Sequence, residues 1–457
     1  MRFPLPLTAK IAAYIIGKKL RKIEKFATVL QLEPLHTCNL TCTGCGRIRE
    51  YSTSIKDVMP LADCLGAAEE CGAPMISICG GEPLIYPKIE ELVDGLLGQG
   101  RIVYLCTNAT AMRKKMRDYL KSEYGSLLPA DCTLPISDCR LQGEKRTRHE
   151  DLERKVETLL REDLITAKQG EEIRAARPPK PAKGATSTMP LAIAPNQFMY
   201  WNVHLDGLER THDLIVEREG VFKEAVLAIR MAKVLGYQVA TNTTVYRETD
   251  PQEIEQMFAF LGSLGVDGHT ISPGYDYDAA KVDMMQRLDR QPEDFFLTRE
   301  MTREKFANAV EWGERYPIFG TPTYLEFLAG RRDLTCSAWA IPTRNVRGWK
   351  GPCYLMTDGH YATYNELLGK TDWNKLGVVN GEARDPRCEN CMVHCGYEPT
   401  ASLGLQAEKG DMWKNIKFNF GRKPVARGGE QVHAFNGVSA GQGHLTGRKE
   451  EAVALQP

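Results

Sequence analysis

Cys38-Asn-Leu-Thr-Cys42-Thr-Gly-Cys45 sets three thiols at C-x3-C-x2-C spacing on one short stretch. Three thiolates on such a loop can hold three corners of a cubane iron–sulfur cluster, as runs of Cys hold these clusters generally. No fourth Cys follows within the stretch. One iron would then keep an open coordination position, which a reaction needs and electron transfer does not. A zinc knuckle and three unrelated core cysteines are the competing readings. Zinc sites favour paired C-x2-C or Cys/His units that supply four ligands.

Gly80-Gly81-Glu82-Pro83 is a second block with chemical content. Glycine lacks a Cβ, so the backbone there can approach a ligand closely. The Glu82 carboxylate and the neighbouring strand-edge carbonyls suit an α-ammonium group, which donates hydrogen bonds and accepts none. In isolation, Gly-Gly-Glu-Pro is an ordinary turn more often than a site. Cys106 ends the apolar run Ile102-Val-Tyr-Leu-Cys106, on the face shared by Tyr104. A buried Cys usually behaves as a small hydrophobe. Beside a radical, its weak S–H bond would make it a hydrogen-atom donor. Cys79 competes for that role, whereas Cys64 and Cys71 fall on a helix and read as core.

A further cysteine set lies downstream. Cys336 is followed by eleven residues, Gly348, four residues and Cys353; then comes Cys388-x2-Cys391-x3-Cys395. Four of these five thiols would close a second metal centre, an iron–sulfur cluster or a structural zinc. Cys132 and Cys139 have no metal-ligand spacing and receive no role.

The elements that position these residues alternate. Strands are predicted near 29–35, 75–79, 102–106, 198–205, 237–242 and 268–272, with helices such as 61–71, 89–97 and 221–235 between them. Six β/α repeats predict an α/β fold with a parallel sheet curled into a partial TIM-like barrel. In such barrels the chemistry sits at the C-terminal ends of the strands. The motifs fall there: the three cysteines after the first strand, Gly80 to Pro83 after the second, and Cys106-Thr107-Asn108 at the third. His204-Leu-Asp-Gly ends the fourth and Thr241-Asn242-Thr243 the fifth.

Five segments result. Residues 1–27 hold a basic amphipathic helix over 7–26, with Ile11, Ile15, Ile16 and Leu20 on one face. It can lie on a membrane surface or pack on the domain. Residues 28–122 and 198–290 form the barrel. The block 123–197 is an insertion with Leu152, Val156, Leu159 and Leu160 on one helix face. It also carries a capping box at Thr166-Ala-Lys-Gln169 and a flexible linker from Arg177 to Gly184. It is expected to leave from the side of the barrel opposite the chemistry, as a docking or spacer element. Residues 291–403 form a Cys-rich auxiliary domain whose first part, Glu293 to Leu328, reads as helical. Residues 404–457 read as a mostly disordered tail.

With 457 residues the chain has room for two to three domains. Lys+Arg and Asp+Glu both number 59, so the formal charge is zero and nothing global points to nucleic acid. The fourteen cysteines cluster in motifs, no secretory signal is visible, and a reducing cytosolic compartment is expected. No apolar run reaches the roughly 18 residues needed to span a bilayer.

C-x3-C-x2-C followed one strand later by Gly80-Gly81-Glu82-Pro83 resembles the signature of the radical S-adenosylmethionine (SAM) superfamily. The downstream cysteines resemble its SPASM or twitch type of auxiliary-cluster extension. Longer blocks carry a closer likeness. They include Leu32-Glu-Pro-Leu-His-Thr-Cys38, Glu70-Cys-Gly-Ala-Pro, Tyr104-Leu-Cys-Thr-Asn-Ala, Val203-His-Leu-Asp-Gly-Leu and Ile271-Ser-Pro-Gly-Tyr. Pro342-Thr-Arg-Asn-Val-Arg-Gly-Trp, Gly351-Pro-Cys-Tyr-Leu and Cys391-Met-Val-His-Cys-Gly-Tyr-Glu-Pro-Thr add to them. Over about 7–122 and 198–402 the chain resembles the hopanoid-biosynthesis proteins of that superfamily, the adenosylhopane synthases.

The resemblance implies a [4Fe–4S] cluster on Cys38, Cys42 and Cys45, with SAM chelated at the open iron. Gly80, Gly81, Glu82 and Pro83 would meet the SAM amine, and Thr107, Asn108, His204 and Asn242 would line the SAM site. A 5′-deoxyadenosyl radical would add to the alkene of diploptene, and Cys106 would quench the resulting carbon radical. The resemblance further implies a low-potential electron donor such as ferredoxin or flavodoxin. A water-insoluble substrate gives the basic helix a reason to touch the inner face of a membrane. The rival readings are a radical enzyme for another terpenoid or a peptide, a non-catalytic iron–sulfur carrier, and a zinc-bound scaffold.

Overall fold

A computed structural model describes residues 4–51, 54, 56–127, 141–179 and 188–421. Cys132, Cys139, part of the Arg177–Gly184 linker and the chain beyond 421 lie outside those residues.

Six parallel strands form consecutively: β1 (Val29–Glu33), β2 (Met75–Ile78), β3 (Ile102–Thr107), β4 (Met199–His204), β5 (Gln238–Val245) and β6 (Gly268–Pro273). Their side chains alternate between two environments, as the period of two demands. Leu32, Ile78, Leu105, Trp201 and Val203 enter the main core beneath the outer helices. Fully burying such a side chain contributes roughly 1.5–3 kcal/mol. Tyr104, Tyr200 and Ala240 face the other way, into the lumen.

The outer helices follow in chain order. The N-terminal helix is α1 (Leu5–Leu20). Then come α2 (Leu61–Cys71), α3 (Ile89–Gly98), α4 (Met112–Ser126), α5 (Gly143–Arg161), α6 (Ala167–Arg174), α7 (Glu209–Ile215), α8 (Val221–Leu235), α9 (Pro251–Ser263) and α10 (Asp278–Arg287). Leu7 and Ile11 of α1 pack on Ile102, Tyr104, Tyr200 and Ala240, so this helix stops the lumen below the C-terminal ends of the strands. Ile15 turns to Phe26 and Trp339, while Ile16 and Leu20 stay exposed. The apolar stripe is thus divided between packing and solvent. No helix among the described residues is long and apolar enough to cross a membrane.

The block expected to be a spacer belongs to the outer layer. Leu152, Val156 and Leu159 of α5 are buried in the main core, and the Tyr237 hydroxyl donates to the Ile193 carbonyl at 2.6 Å. Thr166 and Gln169 form the predicted capping box at the start of α6.

The segment from Glu293 to Leu328 is not one helix. It divides into α11 (Arg299–Lys305), α12 (Ala309–Arg315) and α13 (Pro322–Leu328). Thr298 and Thr321 accept from the Met301 and Tyr324 amides, and each such cap starts a new helix. The Cys-rich region is also not a separate layer. Its strand β7 (Thr343–Asn345) pairs in parallel with β1, then turns into antiparallel β8 (Gly348–Pro352) and β9 (Thr357–Tyr361), extending the barrel sheet. Helices α14 (Tyr364–Lys370) and α15 (His394–Ser402) follow.

The expected tail instead begins with α16 (Asp411–Phe420). The buried Asp411 binds Arg332 at 2.7 Å and Lys414 binds Glu326 at 2.8 Å, so long-range ion pairs dock a segment whose Met412, Trp413, Ile416 and Phe420 stay exposed.

Candidate active site

The cysteine stretch leaves β1 and crosses the strand ends. Gly44, with φ +73°, lies between Cys42 and Cys45 in the left-handed region, where a Cβ would come within 2.6 Å of the Phe295 ring. Gly46 donates its N–H to the Tyr277 hydroxyl at 2.6 Å, and Thr43 hydrogen-bonds Glu217 at 2.8 Å. Cys38 and Cys42 rest against Leu40, Val216 and Val221.

Burial pushes the Cys38 thiol up to about 12, against the partial relief of the Leu40 N–H, and Glu82 and Cys45 add repulsion. Burial also pushes Cys42 up, reinforced by Cys45, Cys38 and Asp206. Crowded thiols of this kind, with Cys38 and Cys42 desolvated by burial, fit a multivalent, soft metal group. Among the described residues no three Cys, His, Asp or Glu side chains converge on a single-ion site.

Gly80 and Gly81 serve the chain itself. Gly80 has φ +105°, and a Cβ there would lie 2.3 Å from the Leu35 carbonyl; one on Gly81 would lie 1.9 Å from that of Thr37. The Gly81 and Glu82 amides donate to Leu35 and Thr37 at 3.1 and 3.0 Å. The glycines therefore lock the β2 end onto the segment leading into Cys38, where the sequence suggested close approach to a ligand.

Glu82 likewise differs from a carboxylate free to meet an ammonium group. It is buried, with Oε1 accepting from Thr107 Oγ1 at 2.8 Å and Leu84 N at 3.0 Å, and Oε2 from Asn108 N at 2.8 Å. Burial raises its pKa, and those three donors counter the rise. Glu82 braces the β2 end to the β3 end, and the adjoining Pro83 opens a short 3-10 turn. Carbonyls at the strand edge remain the groups suited to an ammonium ion.

Asn108 carries that brace onward. Its Nδ2 donates to Asn39 Oδ1 at 2.8 Å and lies 3.8 Å from Cys38 Sγ. Asn39 in turn donates to Thr110 Oγ1 at 2.7 Å. Asn39 and Thr110 escaped the sequence reading; Asn39, inside the cysteine motif, was the available signal.

Across the lumen, His204 Nε2 meets Asp206 Oδ2 at 2.6 Å. Burial alone would lower the imidazole pKa, but the Asp206 charge and hydrogen bond outweigh it and raise it. His212, whose Nδ1 accepts from the Asp206 amide at 3.2 Å, is held down to about 4 by burial and the nearby His204. Asn242 pairs with His204 in register, and its side-chain amide has no hydrogen-bond partner among the described residues. Cys106 lies on the lumen face, 3.4 Å from both Ser77 Oγ and Asn202 Nδ2.

The second cysteine set gathers at β8 and α15. Cys336, Cys353 and Cys388 pack with Ala338, Met356 and Leu376, while Cys391 and Cys395 border Tyr275, Tyr354 and Val393. Gly396 and Gly377 make room for Cys336: a Cβ on either would come within 2.7 Å of that side chain. Burial pushes Cys388 up to about 11, and Cys353 and Asp385 add repulsion, with partial relief from the Gly377 amide and Arg387. By their chemistry these five thiols suit an iron–sulfur cluster or zinc, and as placed no three of them converge on a single ion.

Arg47, two residues past Cys45, links the two cysteine regions. Its guanidinium stacks 4.3 Å from the Tyr354 ring and 5.2 Å from that of Tyr277, and Nη2 donates to the Tyr354 carbonyl at 2.6 Å. Buried Glu33 and half-buried Glu50 flank it at 3.5 and 2.8 Å, and Lys350 meets Glu50 at 2.7 Å. Burial raises the Glu33 carboxyl, but Arg47 and His36 bring it down to about 2. Charged residues scattered over 33–50 and at 350 carry no local signature of this network.

The radical SAM superfamily matches residues 32–128, and a domain of unknown function, DUF3463, matches residues 269–415. A 7-carboxy-7-deazaguanine synthase of Neisseria meningitidis serogroup B is 31% identical over 128 residues, 27% of this chain. The chain spans 58% of that relative's length. Among solved structures, Streptococcus suis SuiB bound to precursor peptide SuiA is 12% identical at a TM-score of 0.46, covering 87% of this chain and 76% of its own. Native anSMEcpe with bound AdoMet and Cp18Cys peptide is 13% identical at 0.46, covering 86% and 96%.

Proposed function

We propose that this radical SAM superfamily protein joins the 5′-deoxyadenosyl group of SAM to the alkene of diploptene, forming adenosylhopane. Cys38, Cys42 and Cys45 would hold the [4Fe–4S] cluster, leaving one iron for SAM. When bound, the cluster and SAM supply a 5′-deoxyadenosyl radical competent for addition to an alkene. Glu82, through Thr107 and Asn108, keeps the strand ends in register with the cysteine stretch. His204 and Asn242 offer an imidazole paired to Asp206 and an amide unpartnered among the described residues on the facing wall. Leu7 and Ile11 close the lumen beneath, keeping water away from that side.

Addition to the alkene leaves a carbon radical that must gain a hydrogen atom. Cys106 is the donor in this reading: its S–H bond breaks homolytically, the C–H bond forms, and the sulfur becomes a thiyl radical. One electron from a low-potential donor such as ferredoxin or flavodoxin, with one proton, restores the thiol. The observation that carries the reading is the set of resembling blocks at the strand ends, with Cys106 on the lumen face among them.

The test is anaerobic incubation of the reconstituted protein with SAM, diploptene and a reductant, followed by mass analysis. The native chain is expected to form the saturated adduct. Cys106→Ala is expected to release 5′-deoxyadenosine while forming little saturated product. Normal adduct from that variant would remove Cys106 from the role. A second reading, a polar substrate such as a peptide, draws support from the polar side chains of Ser77 and Asn202 beside Cys106. Cleavage of SAM without any diploptene adduct would favour it.

A further inference from the structure

We propose that Ser77 and Asn202 are positioning residues that hold the Cys106 thiol for hydrogen-atom donation and accept it back as a thiolate. The inference rests on the reading in which Cys106 is the donor.

The three residues come from neighbouring strands. Cys106 on β3 is the register partner of Asn202 on β4, and Ser77 lies on β2 at the other flank. Ser77 Oγ and Asn202 Nδ2 each stand 3.4 Å from Cys106 Sγ. That distance is within hydrogen-bond reach for sulfur, whose atom is larger than oxygen. Asn202 is buried, and its Oδ1 has no partner among the described residues. Below them the Tyr104 and Tyr200 rings stack with centroids 5.0 Å apart, covered by Leu7 and Ile11. Among the described residues, the side of the lumen below the sulfur is thus packed shut. Cys79 opens onto the same lumen region, yet no side chain among the described residues hydrogen-bonds its sulfur.

The two partners suit each state of the cycle. In the thiol, the S–H can point at Ser77 Oγ while Asn202 N–H meets a sulfur lone pair, which fixes the hydrogen's direction. After the hydrogen atom leaves, Sγ is a thiyl radical. One electron from the low-potential donor makes a thiolate, and a proton then restores S–H. During the thiolate stage both Ser77 O–H and Asn202 N–H can donate to sulfur. Burial pushes the Cys106 thiol up, and the hydrogen bonds from these two residues pull it back. A cysteine in an apolar wall would lack that relief and would be slow to pass through the thiolate.

Two measurements test the assignment on Ser77→Ala, Asn202→Ala and Ser77→Thr in the full chain. The first is turnover in heavy water, reading saturated adduct and its deuterium per 5′-deoxyadenosine released. Loss of one hydrogen bond is expected to lower that ratio about fivefold in each alanine variant, with substantial recovery in Ser77→Thr. The second needs neither cofactor nor substrate: the pH dependence of Cys106 alkylation by iodoacetamide, followed on its own peptide by mass spectrometry. Its midpoint is expected to rise by about half a unit or more in the alanine variants.

If Cys106→Ala loses the saturated adduct while both alanine variants match the native chain in ratio and alkylation midpoint, the positioning role is overturned and the donor role stands. If Cys106→Ala forms normal adduct, the donor role fails and this inference fails with it. Should Asn202→Ala not fold, the serine pair decides the question alone.

Discussion

The His204 imidazole meets a wholly buried Asp206 carboxylate at 2.6 Å, and its charge state follows from that contact. The folded pKa of His204 is raised. The pair therefore contributes its full stabilisation below the ordinary histidine value of roughly 6.5, and loses it as pH rises through the folded value. In Asp206→Asn the His204 midpoint is expected to fall, as read by NMR titration of the ring before iron loading. Coincident midpoints in the two proteins would refute the coupling. At this scale the sequence exposed the cysteines, because metal ligands recur at set spacings. It exposed His204 and Asn242 only as strand-end residues, and His212 not at all, because a partner across a helix turn has no spacing rule.

Elements that repeat were legible, and elements set by packing were not. The six strands followed from apolar runs between turn signals, and the capping box at Thr166 from its own four residues. The helix expected from Glu293 to Leu328 failed because Thr298 and Thr321 cap new starts within an apolar-periodic run. Helix α16 was missed because its docking depends on Arg332 and Glu326, about 80 to 90 residues away.

The Gly-Gly turn is the sharpest case at this scale. Its glycines were expected to admit a ligand, and the structure shows them admitting the backbone that precedes Cys38. Gly81→Ala would place a Cβ against a carbonyl that cannot swing aside, an overpacking of about 1–3 kcal/mol. The urea midpoint is expected to fall, and iron retention at the first cysteine loop with it. An unchanged midpoint would show that the turn has slack.

At the scale of the whole molecule, β7 pairs with β1 and Arg47 reaches from the first cysteine loop to Tyr354 beside Cys353. The strands that adjoin the two cysteine regions belong to one sheet. Anaerobic reconstitution is expected to load about eight iron atoms per chain if both sets hold [4Fe–4S] clusters. About four iron atoms with one zinc would make the second centre structural zinc.

By itself the sequence determined the order of the elements and where the chemistry-bearing residues stand along them. Thiol spacing, strand periodicity and short caps are local properties, set by covalent geometry within a few residues. Only the tertiary structure decided what Glu82 and the glycines touch, that Arg47 joins two distant cysteine sets, and that Ser77 and Asn202 flank Cys106. Those contacts join residues far apart in the chain, and no local propensity encodes which buried polar group will satisfy another.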